Sequence, residues 1–344
     1  MPNTDYAFMS AYLKGEESKV VTPDHIGRMV KASNIQEVLR IIADTDIGSY
    51  LEEVPARNLE DIDECLWVYF ARCLCRLQWL GFLTPDMLKI LSAYVAKYDV
   101  FNIKAALQSI LTVKKAKMIP VGIIHNNALL DELFNAENID DIIELLTKCK
   151  LENYVPALKE YEVDGGAKSK LLAEARLDSE YYRSMLSVAK DVKDGPILAK
   201  AFGLIIDLIN LQIVSRAIIE GMGGEAAEYT IAGGYILPDK VAAGLLSLKL
   251  PDAARRLQNT QYQDIANEVS TNYDKTKNIT AVDEIIDKHK FRMLKELLSP
   301  RVLSPLVMAW YLILKEVEIR NLRLVLKTIV DGVPVQEIRN YLVL

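Results

Sequence analysis

Histidine and cysteine are scarce in this chain, and neither is arranged for chemistry. Its three histidines, His25, His125 and His289, stand beside no cysteine or carboxylate at ligand spacing. There is no HExxH and no GxxxxGK[ST], which excludes the zinc-protease and nucleotide-loop signatures. The four cysteines, Cys65, Cys73, Cys75 and Cys149, form no CxxC pair. They read as reduced, buried cysteines of a cytoplasmic protein. Gly221-Met-Gly-Gly224 and Gly233-Gly234 follow no strand, so they make no phosphate cradle. Long apolar runs are also missing. The longest unbroken one, Pro305 to Leu314, falls short of the roughly 20 residues a spanning helix needs. The more apolar Phe202 to Ile219 segment is interrupted by Asp207, Asn210, Gln212 and Arg216. Met1-Pro-Asn-Thr-Asp5 lacks the basic-then-apolar pattern of a signal peptide. The expectation is a soluble chain whose membrane association, if any, comes through partners. A net charge of −6 is mild and gives no reason to expect nucleic acid, which wants a basic patch.

Three stretches carry one message. Asp99-Val-Phe-Asn102-Ile-Lys104, Asp207-Leu-Ile-Asn210-Leu-Gln212 and Glu318-Ile-Arg-Asn321-Leu-Arg323 each read as an acid, Asn three residues on, then a long polar or basic side chain. They stand roughly 110 residues apart, beyond the 20–50 of a solenoid repeat. Each unit is therefore a small domain's worth of chain. Upstream of each motif a second helical segment closes in a proline turn, at Thr84-Pro85, Gly195-Pro196 and Ser304-Pro305. Proline suits the first helical turn and its predecessor resists helix, so each unit begins as a hairpin of two long helices. The partner helices echo one another in Asp178-Ser-Glu-Tyr-Tyr182-Arg183 and Asp287-Lys-His-Lys-Phe291-Arg292. The first unit offers only Asp61, Asp63 and Tyr69-Phe70.

A short helix pair accompanies each hairpin. The spacing predicts a helix over Asp5 to Glu17, then a pair beginning with Thr22 as N-cap and Pro23 at the first helical position. The pair recurs at Asn126 to Tyr154 and, more loosely, from Leu237 to Tyr262. Val333 to Ile338 reads as the start of another. The predicted architecture is all-α, in three repeats at about 55–160, 166–270 and 280–344, the third completed by residues 1–54.

Residues at i and i+3 share a helix face, so each acid and its Asn point the same way. Their companions are Val95 and Ala106, Gly203 and Val214, Leu314 and Val325. Such a stripe reads as a buried, hydrogen-bonded crossing that fixes how a hairpin meets its short pair. The competing reading is a repeated contact surface. Asp140-Asp141-Ile-Ile-Glu144 looks like a magnesium–diphosphate cluster. No second carboxylate cluster faces it, and its counterparts Gln36-Glu37 and Pro251-Asp252 mark repeated helix starts, where acids suit the helix dipole. No catalytic, metal or cofactor residue emerges.

On these three motifs, the segment Leu314-Lys-Glu316-Val-Glu318-Ile-Arg320-Asn321-Leu-Arg323 and the recurring short pair, the whole chain resembles the C subunit of archaeal and bacterial A/V-type rotary ATPases, related to the d subunit of the eukaryotic V-type enzyme. The resemblance implies a funnel-shaped, pseudo-three-fold all-α subunit on the cytoplasmic face of the membrane. Its partners would be the central stalk and the membrane rotor ring, which it would couple as a non-catalytic socket during ATP-driven ion transport or ATP synthesis, binding no nucleotide. The alternative is a general α-helical repeat adaptor.

Overall fold

A computed structural model describes residues 4–53, 58–111, 116–164, 167–333, 338 and 342–343. Among these residues there are helices and no strand. The chain divides into two compact units, Met1–Leu91 with Phe291–Leu344, and Ser92–Lys290.

The first unit opens with α1 (Thr4–Glu17), α2 (Pro23–Met29), α3 (Ile35–Ile41) and α4 (Asp46–Glu53), followed by α5 (Leu59–Trp79). Polar side chains start these helices. Thr22 accepts from the His25 amide, Asn34 from that of Glu37 and Asn58 from that of Asp61, each filling an otherwise orphaned N–H. Along α5, Ile62, Leu66, Tyr69, Phe70, Cys73 and Leu77 recur at helical spacing and are buried. They pack against α17 (Leu306–Val330), which also packs on α1. Most of α17 is buried, including Lys315, Glu318 and Asn321.

In the second unit lies most of α6 (Pro85–Leu111), then α7 (Ile123–Asn126), α8 (Leu130–Phe134) and α9 (Ile139–Lys148). The pair expected at Asn126 to Tyr154 is thus broken into shorter pieces, because Ala128 takes a left-handed backbone (φ 58°) and ends α7. Next come α10 (Val155–Asp164), α11 (Ala167–Val188), α12 (Gly195–Glu220), α13 (Asp239–Leu245), α14 (Leu250–Arg256), α15 (Gln263–Thr276) and most of α16 (Thr280–Leu298). By length and composition α12 could cross a membrane, but most of its apolar stretch is buried inside the protein. Its first turn needs glycine: a Cβ on Gly195 would lie 1.8 Å from the Ala189 carbonyl oxygen.

The prolines fall where the hairpin reading put them. Pro85 opens α6, Pro196 stands in the first turn of α12 and Pro305 caps α17. Pro334 to Glu337, within the expected last fragment, lie outside the described residues. The cysteine expectation needs correction. Cys73 and Cys149 are buried, Cys65 is half-buried and Cys75 is exposed. Cys75 follows Cys73 by two residues, which turns it onto the opposite side of α5.

Candidate functional site

Asp99 and Asn102 are completely buried on α6. Asp99 accepts from the backbone N–H groups of Ile123 and Ile124, both at 2.9 Å, and so holds the start of α7. Asn102 brackets one residue of the preceding loop, donating to the Ile119 carbonyl (2.9 Å) and accepting from its N–H (2.8 Å). The loop can approach so closely because position 122 is glycine at φ 112°. A Cβ there would stand 2.4 Å from an Asp99 carboxylate oxygen.

The same clamp recurs on α12. Asp207 accepts from the N–H groups of Ile236 (2.7 Å) and Leu237 (2.8 Å), and also from the Tyr262 hydroxyl (2.6 Å). Asn210 donates to the Ile231 carbonyl and accepts from its N–H, each at 2.8 Å, and reaches the Leu237 carbonyl at 3.1 Å. Gly234 takes the part of Gly122: a Cβ there would lie 2.2 Å from Asp207 Oδ1.

On α17 the two halves of the clamp come from distant parts of the sequence. Asn321 donates to the Val343 carbonyl (2.7 Å) and accepts from its N–H (3.1 Å). Glu318 accepts from the Val21 N–H (2.7 Å). Its other oxygen accepts from the fully buried Lys315 ammonium at 3.0 Å, and Lys315 donates again to the Tyr69 hydroxyl at 2.8 Å. Tyr69 donates to Asp46 (3.1 Å), which pairs with Arg76 (3.2 Å), and Arg76 also binds Glu16. A chain of alternating charge thus runs from buried α17 to a cavity of about 450 Å³ lined by Asp46, Tyr50, Arg72 and Arg76.

Burial governs the protonation of these acids. It pushes the Asp99 carboxyl up to about 6, against the two N–H donors that favour the charged form. Asp207 is raised by burial and held back by Tyr262 and its two amides. Glu318 is likewise raised by burial and opposed by Lys315. At Asp46 burial pulls upward, but Arg76, Lys315 and the Tyr69 hydroxyl together hold the carboxyl below its ordinary range.

The third residue of each motif does something different: it reaches another long helix. Lys104 on α6 pairs with Asp178 on α11 at 2.5 Å. Gln212 on α12 donates to Asp283 on α16 at 2.7 Å, joined there by Arg216 at 2.9 Å. Arg323 on α17 pairs with Asp63 on α5. The partner on α16 is Asp283, one turn before Asp287, the residue that the sequence echo set beside Asp178; Asp287 instead pairs with Lys290. Sequence reading also passed over Lys315, Tyr262, Val21 and Val343. Only Lys315 left a signal, a lysine three residues before a glutamate where the other motifs have Ala96 and Leu204.

Asp141 belongs to helix capping. Its carboxylate accepts from the Glu137 and Asn138 amides while Asn138 caps the Asp141 N–H at 3.0 Å. Among the described residues no group of His, Cys, Asp and Glu is placed to hold a metal.

A model of the family described as ATP synthase (C/AC39) subunit matches residues 9–341. The chain is 24% identical over 351 residues to the C subunit of the A-type ATP synthase of Methanocaldococcus jannaschii, covering 98% of this chain and 86% of that protein. It is 24% identical to the corresponding C subunit of Pyrococcus abyssi and 25% identical to that of a Desulfurococcus species, covering 98% of this chain and 90% of the relative in each case.

Proposed function

Since the chain belongs to the ATP synthase (C/AC39) subunit family, we propose that it is a non-catalytic central-rotor subunit of an A/V-type ATPase, peripheral on the cytoplasmic face of the membrane. In this reading it is a funnel of three pseudo-equivalent hairpin units that seats the central stalk on the membrane rotor ring. The observation that carries the proposal is that the third residue of each motif ties its helix to another long helix. Lys104 on α6 pairs with Asp178 on α11, Gln212 and Arg216 on α12 with Asp283 on α16, and Arg323 on α17 with Asp63 on α5. A rotor coupling must transmit torque without shearing, and polar pairs that lock one stiff helix to another resist shear within each unit. A general solenoid adaptor is less well supported, because its repeats touch only their neighbours in sequence. Arg323–Asp63 instead joins α17 to α5, 260 residues apart in the sequence.

The three clamps then set how each hairpin carries its short helices, and the residues Asp99, Asn102, Asp207, Asn210, Glu318 and Asn321 serve assembly rather than chemistry. Removing Val333 to Leu344 takes away the Asn321 partner Val343. The truncated subunit should remain helical by circular dichroism. In complexes reconstituted into vesicles, ATP hydrolysis should continue while ion pumping per ATP collapses. Unchanged pumping per ATP would refute the coupling role.

A further inference from the structure

The first two clamps take two consecutive N–H groups on their acid, but the third takes only one. The N–H after Val21, that of Thr22, is diverted to the ring of His25: Thr22 N–H donates to His25 Nδ1 at 3.0 Å. In return the His25 amide donates to Thr22 Oγ1 at 3.3 Å, forming a capping box in which histidine stands where Glu or Gln is usual. The opposite ring nitrogen, Nε2, faces Asp44 Oδ1 at 3.1 Å. This geometry settles the neutral tautomer: Nδ1 accepts, and Nε2 carries the proton and donates to Asp44. A second proton must go to Nδ1, where it would confront the Thr22 N–H, donor against donor.

We propose that this capping box is a proton-sensitive catch on the segment that Glu318 holds through Val21: neutral His25 fastens it and the imidazolium loosens it. The surrounding charges do not remove the conflict. Asp44 binds Nε2–H in either form, and its carboxylate is largely exposed, so its pull on the cation is screened. Asp24 and Arg28, on the same helix, pair with each other at 3.2 Å. On α3, Glu37 is taken by the Ser33 amide at 2.8 Å, and Arg40 is exposed. Glu318 and Lys315 approach through Val21 and bind each other. The imidazolium keeps Thr22 Oγ1 as an acceptor but leaves the Thr22 N–H without one.

Amide exchange resolved by residue in the full chain tests this, at pH 7.5 and 5.5 with intrinsic rates corrected. Thr22 should exchange about fivefold faster at the lower pH, the loss of one cap. Val21 should follow, while Ile119 and Ile231, held by asparagines, stay constant. In His25→Gln the amide carbonyl accepts from Thr22 at both pH values, so the difference should vanish. Equal protection of Thr22 at both pH values overturns the proposal. So does a difference that survives in His25→Gln, which would place the effect on Glu318 instead. Nitrogen chemical shifts of the His25 ring at pH 7.5 supply a check that needs no variant: a neutral ring protonated on Nδ1 also overturns it.

Discussion

Asp99 and Asp207, in the Ser92–Lys290 unit, bind consecutive main-chain N–H groups from a single downstream loop, and each stands against a glycine. Glu318, in the other unit, has one main-chain donor, from a segment 297 residues earlier in the sequence, and a lysine. The difference lies in how each buried acid is compensated. Where a nearby downstream loop packs on the clamp helix, neutral donors compensate the acid: two amides at Asp99, and two amides with the Tyr262 hydroxyl at Asp207. Where the segment comes from far along the chain, an ammonium supplies the missing donor and ties the site to Tyr69 on α5. A buried ion pair fixes geometry at a desolvation cost, and losing one partner strands the other.

The sharpest way to break the comparison is Lys315→Met, which makes the position as apolar as Ala96 and Leu204. Glu318 would be left buried without its cation, and unfolding in urea should show a loss of about 3–5 kcal/mol. Adding Glu318→Gln should recover part of it. If Lys315→Met is as stable as the parent, the third clamp does not depend on charge and the contrast between the units disappears.

A smaller effect should appear as pH dependence in the other unit. Asp99 rises from an ordinary 3.8 to about 6 in the folded protein. Its contribution to stability is therefore fully present below pH 3.8 and is lost as the pH rises through 6, the sign expected for an acid more easily protonated when folded. The change amounts to at most about 3 kcal/mol. Comparing the pH dependence of stability between the parent and Asp99→Asn isolates it. A parent curve that rises from pH 4 to 6 only when Asp99 is present would contradict the burial argument.

The smallest expected effect belongs to the surface. Arg323 is about half exposed, so Arg323→Ala should cost under about 1 kcal/mol of stability. Its consequence should be sought in coupling within the assembled complex. A stability loss of several kcal/mol would mean that Arg323–Asp63 holds the unit together rather than orienting two helices.

Local rules carried much of this protein. Helical spacing, the three prolines and the cap Thr22 follow from what a few neighbouring residues do to the backbone, and they are readable because their partners lie within one turn. The repetition of acid, Asn and a long polar residue was equally plain. Its burial followed from the apolar companions on the same face. What these residues hold was not readable. Ile119, Ile231 and Val343 are bound through main-chain atoms, which every residue possesses, so their side chains carry no trace of the role. The partner of Gln212 and Arg216 is Asp283 rather than Asp287 because a one-turn shift in how two helices pack moves the contact by four residues, a difference that sequence echo does not record. Likewise Lys315 and His25 look like surface residues in the sequence. Only the folded chain, by removing water from around them, turns one into an obligatory counter-ion and the other into an acceptor.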